Sequence, residues 1–474
     1  MSERYEETEY LDVVIIGNGP NALSLSYMLA GNWPYYIPNQ HPNPILNRKL
    51  CEDPSKSLIE QDLDYLSEGL EGRSFNPVAL LFDQLQRPNT DLGLEQGSCL
   101  KWIYNPAHRV KHLVLGCGPP GGSWHNMHGS QLTLSLNNWL ELPGLEFQDW
   151  LREHRHEAVR KPCTLVKNKI ESPGNSYDRA TTSHIAEYYK DYVDKMGLSG
   201  YFSNNSKVLS VKHGSDGLWE IHGVKENYPD ELVPIAVNAN NVVLATGNSV
   251  AKTLGIPGER HQFIYHQMED LEILFGDLEV LESQPDPCLV VGAGLSAGDA
   301  ILSLLCKGIP VIHAVRRSVN DPSIIFNNLT PTVYPEYSLI REMMKGTHDK
   351  ALDGSYQCFA KTKLVEIRKN RECVLKKTDG TLFKKKVSYV FILIGTSPEL
   401  SFLRGVNSLG IDKKLPLDSK NNPVDINAFT YECSNVPGLY ALGPLVGDNF
   451  VRFGMGGGLG IANHLFKDDM NSII

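Results

Sequence analysis

The chain has 474 residues, 41% hydrophobic and 21% charged, with 41 Gly and 28 Pro, a composition that excludes disordered and fibrous classes and, at about 150 residues per domain, argues against a single core. Lys and Arg number 45 against 55 Asp and Glu, a formal charge of -10, so the basic excess of a nucleic-acid binder is missing. Nine cysteines stand singly, with no CxxC and no zinc-type pairing with His, which predicts buried thiols in a reducing compartment, no metal site, and no redox pair of the kind a flavin disulfide reductase uses.

In chain order, Ser2 to Tyr10 is acidic and polar, unlike a targeting segment. No apolar run approaches the ~20 residues of a membrane span, and the expected location is cytoplasmic. Asp12 to Ile16 is a β-branched run leading into Gly17-Asn18-Gly19-Pro20-Asn21-Ala22 and an apolar stretch from Leu23 to Ala30. This is strand, glycine turn, helix: Gly17 permits the tight turn, Gly19 lets a pyrophosphate approach the backbone, and Ala22 lets the helix sit close to the sheet. A dinucleotide site usually carries an acid about 20 residues past the first glycine, yet none occurs between Asp12 and Glu52. If the second strand is instead Val110 to Leu115, it ends in Gly116, again without an acid. Residues 32–109 are then an insertion with helices of its own, one carrying Leu58, Leu63, Leu66 and Leu70 and another starting near Pro77.

The turn and strands that follow, Lys207 to His222, close on Val242 to Ala245 and the small-residue turn Thr246-Gly247. A second unit repeats the plan. Leu289-Val290-Val291 leads into Gly292-Ala293-Gly294-Leu295-Ser296-Ala297, a helix to Lys307, and a strand Val311 to Val315. Arg316 and Arg317 follow that strand, where a 2′-phosphate needs Arg, and NADPH is the reading. A solvated basic pair at a strand end is the competing one. Thr362 to Lys377, the Asp379-Gly380 turn and Tyr389 to Ile394 close this unit on Gly395. From Gly17 to Gly247 the span is 230 residues and from Gly292 to Gly395 it is 103, so the first unit is longer by about 127 residues. The expected fold is α/β: two nested Rossmann-like units with β-meander crossovers, residues 1–256 and 386–474 forming the first, with the insertion at about 32–109, and 257–385 the second.

This plan resembles the class B flavin monooxygenases, which include the N-hydroxylases. The likeness rests on the Gly17 and Gly292 fingerprints, Gly121-Gly122-Ser123-Trp124, and Phe263-Ile264-Tyr265-His266. It is closer to the oxidative-stress-induced growth inhibitor family, through Gly17-Asn18-Gly19-Pro20, His41-Pro42, the run Leu115 to His125, and Gly447-Asp448-Asn449-Phe450-Val451-Arg452-Phe453. The resemblance implies FAD on the first unit and NADPH on the second, a monooxygenase-type oxidoreductase, and a role in growth restraint, cell death or cytokinesis, with the nucleus and the midbody as further locations. It implies a small-molecule or protein side-chain substrate, and it leaves protein partners and oligomeric state open.

The same resemblance implies roles for single residues. Gln131 is expected to hydrogen-bond near the reactive face of the flavin, with Trp124 as a wall; Trp124 as a core residue is the equal alternative. Gly443 would form a turn against the flavin and Asp448 would reach its ribityl chain. Gly456, in the glycine run that opens the last helix, would direct backbone donors at the pyrimidine edge. Gly17, Gly19, Pro20, Ala22, Gly122, Trp124, Gly247, Gly292, Gly294, Ser296, Arg316 and Arg317 complete the expected cofactor contacts. The rival reading is a regulatory or scaffold protein that keeps the fold and a nucleotide but turns over little.

Overall fold

A computed structural model describes residues 9–154 apart from 95, 128 and 130, then 179–227, 231–275, and 286–473 apart from 407. Val13, Val14 and Ile15 are fully buried, as in a strand covered on both faces. The strand Glu9–Ile16 accordingly runs through the middle of its sheet. It is parallel to His112–Leu115 on one side and to the end of Glu231–Leu244 on the other. Phe202–Ser203 extends the first side. On the second, Ser206–His213, Trp219–Asn227 and Glu231–Leu244 form an antiparallel meander, and Leu439–Ala441 adds in parallel to the last of these.

The neighbour of the first strand is therefore His112–Leu115, and the chain reaches it through an excursion closed by the antiparallel pair Asn32–Tyr36 and Leu100–Tyr104. The leucines at 58, 63, 66 and 70 do not share one helix. The Asp62 side chain accepts from the backbone of Asp64 and Tyr65 and starts a new helix, so Leu58–Glu60 is a separate turn and Leu63–Ser67 a short helix. Pro77 does open a helix, Pro77–Gln86, which packs on the last helix, Val451–Ile473. Tyr188, Tyr189 and Tyr192 form one fully buried face of Thr182–Lys195. Their hydroxyls donate to the carbonyls of Leu145, Leu140 and Pro143 at 2.6, 2.9 and 2.7 Å, so each buried phenol is satisfied by backbone.

The second sheet has five parallel strands in the order Ile264–Tyr265, Val390–Ile392, Cys288–Val291, Val311–Ala314 and Tyr356–Phe359. Its side chains alternate between two cores, Val290 facing one and Leu289 and Val291 the other, as the two-residue strand period requires. A three-stranded meander, Thr362–Ile367, Glu372–Lys377 and Leu382–Lys386, packs beside it. Where the chain leaves the first sheet and where it returns, Val250–Ala251 and Thr396–Ser397 pair antiparallel. Cys306 is disulfide-bonded, which corrects the reading of nine free thiols. Among the described residues no helix is long and apolar enough to cross a membrane.

Candidate functional site

Gly17 has φ +104°, and a Cβ there would lie 2.4 Å from the carbonyl oxygen of Ala245, so only glycine makes this turn. Its amide donates to the carbonyl of Leu115 at 2.8 Å. At Gly19 a Cβ would meet nothing within 4 Å. Helix Pro20–Leu29 starts there with Pro at its first turn and no side-chain cap, leaving backbone donors aimed at open space, the arrangement that receives a phosphate. Ala22 is fully buried against the sheet.

Three further segments meet this turn. The buried Asn18 side chain donates to the carbonyl of Gly118 at 2.7 Å and to Asn204 Oδ1 at 3.3 Å, and Gly121 donates to the carbonyl of Asn18 at 2.8 Å. A Cβ on Gly122 would lie 3.3 Å from Gly19. Gly247 abuts Pro444, and the Asn21 side chain fills the space beside Gly443 and Gly454. Gly17, Gly19, Pro20, Gly122, Gly247 and Gly443 thus share one end of the first sheet. The same end carries buried polar atoms with no hydrogen-bond partner among the described residues: Asn21 Oδ1, Thr246 Oγ1 and Asn248 Oδ1. Buried polar atoms in folded proteins find partners, and these three suit a bound polar group.

The second turn repeats the geometry. Gly292 has φ +135°, with a virtual Cβ 2.2 Å from the carbonyl oxygen of Leu393, and Gly294 faces open space. Helix Leu295–Cys306 is again uncapped, and Ser296 is exposed in its first turn. Arg316 and Arg317 are exposed directly after the strand Val311–Ala314 and Val315, Arg317 donating to the carbonyl of Ser323 at 3.2 Å. His313 escaped the sequence reading. It is fully buried and lies between the Tyr356 hydroxyl at 2.7 Å and the carbonyl of Gly292 at 2.5 Å. Burial holds it down to about 4, so the neutral ring donates from Nε2 to Gly292, accepts from Tyr356 and orients the turn. The only signal was a lone histidine in a β-branched strand.

Gln131 is engaged by the second unit. Its amide donates to Asp299 of helix Leu295–Cys306, which also receives the Tyr337 hydroxyl at 3.1 Å. Close by, Arg179 pairs with Glu336 at 2.6 Å, donates to Val333 and stacks on Tyr334, and Tyr334 donates to the carbonyl of Leu134 at 2.8 Å. The amide of Gln131 is thereby part of a polar clasp between the two units. Trp124 is half-buried, edge-on to Tyr189 with ring centroids 5.7 Å apart. His266 pairs with Glu259 at 3.1 Å, and Glu259 also accepts from the backbone of Leu254, Gly255 and Ile256, bracing the passage into the second unit.

In the C-terminal segment the expectation for Gly456 is corrected. Asp448 is buried, and its carboxylate accepts from Ser74 at 2.6 Å, Asn76 at 2.9 Å and Tyr431 at 3.2 Å. It ties the insertion to the loop after Gly443. Gly456 lies inside Val451–Ile473, where a Cβ would come 2.4 Å from Ala79 Cα. Gly456 packs on the insertion helix, Gly458 on Leu25, and Gly457 and Gly460 on Tyr431, so the glycine run is a packing surface within the last helix and does not open it. Arg452, also missed, is buried between Asp83 at 3.1 Å and Asp91 at 2.6 Å and stacks on Trp139.

Residues 162–443 match the family described as pyridine nucleotide-disulphide oxidoreductase. The chain is 42% identical to human oxidative stress-induced growth inhibitor 1, over 98% of this chain and 96% of that protein. In fold it is similar to bacillithiol disulfide reductase from Staphylococcus aureus (TM-score 0.60, 16% identity, 97% and 99% of the two chains). It is also similar in fold to ornithine hydroxylase from Pseudomonas aeruginosa (TM-score 0.56, 11% identity, 97% and 99%). The chain belongs to the oxidative stress-induced growth inhibitor family, within the pyridine nucleotide-disulphide oxidoreductases.

Proposed function

We propose that this chain is an NADPH-dependent flavoprotein oxidoreductase of monooxygenase type, with FAD on the turn at Gly17 and NADPH on the turn at Gly292. The observation that carries the reading is the pair of uncapped helix starts, at Gly19 and Gly294, each opening onto free space behind a glycine that tolerates no side chain. The unpartnered Asn21, Thr246 and Asn248 oxygens suit a flavin's polar edge. Bound FAD supplies hydride acceptance and oxygen activation; the chain's own part is to hold the two nucleotides and exclude water. With no CxxC in the sequence, a dithiol relay as in disulfide reductases is disfavoured, which leaves oxygen as the electron acceptor and a soft nucleophile as the group that would receive an oxygen atom. Human oxidative stress-induced growth inhibitor 1 carries its growth role in its name, and we extend that role to this chain, acting in the cytoplasm.

The test is flavin absorbance of the purified protein, followed by oxygen uptake with NADPH and with NADH. Arg316→Ala with Arg317→Ala should raise KM for NADPH at least tenfold and leave NADH unchanged, because only NADPH carries the 2′-phosphate those guanidinium groups would meet. Equal effects on both nucleotides would remove the NADPH assignment. A colourless protein that takes up no flavin would overturn the oxidoreductase reading. The second reading, a scaffold with little turnover, draws on the engagement of Gln131 by Asp299; it predicts bound flavin without NADPH-dependent oxygen uptake.

A further inference from the structure

In dinucleotide folds the adenosine half lies beyond the carboxyl ends of the first strand and its neighbours, and a carboxylate at the end of the second strand holds the ribose hydroxyls. Here the second strand, His112–Leu115, is followed by Gly116, where a Cβ would fall 2.1 Å from the Asn18 side chain. No acid can project from that spot, because Asn18 occupies it and is held there by Gly118 and Asn204. A ribose ligand at this end of the sheet has to come from another element.

Directly beyond the same strand end is a cavity of about 330 Å³, within the range of small-molecule sites. Pro119, Pro120 and Phe202 give it flat apolar walls, and Asn204, the partner of Asn18, joins it to the glycine turn. Asp194 is the acid among its lining residues and Lys190 the cation. Both come from helix Thr182–Lys195, one turn apart, and Ser199 donates to Asp194 Oδ1 at 2.5 Å, fixing the carboxylate at the rim. A purine on the proline and phenylalanine walls would carry its ribose toward that carboxylate.

We propose that this cavity takes the adenosine half of FAD and that Asp194, from helix Thr182–Lys195, replaces the strand-end acid as acceptor of the ribose hydroxyls. The proposal rests on the reading of the Gly17 turn as the FAD site. The experiment separates the two. Binding of FAD and of FMN, which lacks the adenosine, is measured by flavin fluorescence on the purified full chain, wild type and Asp194→Asn, with Glu231→Gln, an exposed acid outside the cavity lining, as control. Unfolding midpoints without flavin show whether each variant folds.

The expected result is at least a tenfold loss of FAD affinity in Asp194→Asn, unchanged FMN affinity and midpoint, and no effect of Glu231→Gln. Ser199→Ala, which only loosens the carboxylate, should give a smaller loss in the same direction. If wild type binds FAD and Asp194→Asn binds it equally well, or loses FAD and FMN alike, the assignment of Asp194 is wrong while the FAD site stands. If wild type binds neither flavin, the FAD site itself falls and takes this assignment with it.

Discussion

Asp299 offers a quantitative test of the clasp between the two units. Its carboxyl is enclosed between Gln131 and Tyr337, and burial lifts it to about 7 even though the hydrogen bonds from Tyr337 and Gln131 favour the anion. In the unfolded chain the same group titrates near 4. Between about 4 and about 7 the folded chain therefore binds more protons, and stability falls as pH rises through that window. Roughly three pH units at about 1.4 kcal/mol each bound the penalty at about 4 kcal/mol once Asp299 is ionised.

Asp299→Asn has nothing to ionise. At pH 5 it should be somewhat weaker than wild type, because the amide presents one acceptor oxygen to the two donors. Its deficit should shrink and reverse as the pH is raised to 8. The assay is urea unfolding followed by tryptophan fluorescence at half-unit steps, read as the difference between the two proteins. That difference removes the contributions common to both. Asp83 and Glu141 are raised by burial to about 6 and about 7, and His112 is lowered by burial to about 4. A difference that is flat from pH 5 to 8, or one that moves against the variant with rising pH, refutes the account of the clasp.

The two remaining predictions concern glycines whose surroundings differ. Gly19→Ala places its methyl in open space, so the protein should fold with an unchanged unfolding midpoint yet lose at least tenfold in flavin affinity; full flavin retention would show that nothing approaches that backbone. Gly456→Ala drives a methyl into the backbone of Val78 and Ala79 and should cost about 1–3 kcal/mol of stability with the preference for NADPH over NADH intact; an unchanged midpoint would refute its role as a helix contact.

The two glycine turns were legible because local constraints wrote them. A β-branched strand, a glycine forced to positive φ and a small residue at the helix start occupy adjacent positions, and each has a local physical cause. The excursion before His112 was legible for the opposite reason, since an absent acid and a long gap between Gly17 and Gly247 leave few ways to complete a parallel sheet. The contacts of single side chains were less legible. Gln131, Asp448 and Gly456 all lie in segments adjoining the glycine-turn site, but their partners, Asp299, Ser74 and Ala79, are distant in sequence, and no local pattern announces a contact of that kind. The buried pairing of Arg452 with Asp83 is hidden for the same reason.

Asn18 shows how such a contact propagates. A polar side chain inside a glycine turn is ordinarily a matter of local geometry, and nothing in Gly17-Asn18-Gly19 marks it as more. In the fold it fills the position from which the second strand would project its carboxylate, and Gly116 is the residue that leaves room for it. The missing acid and the asparagine are thus one feature seen from two strands. Any carboxylate serving this end of the sheet has to arrive from outside the strands, and helix Thr182–Lys195 brings one to the cavity wall.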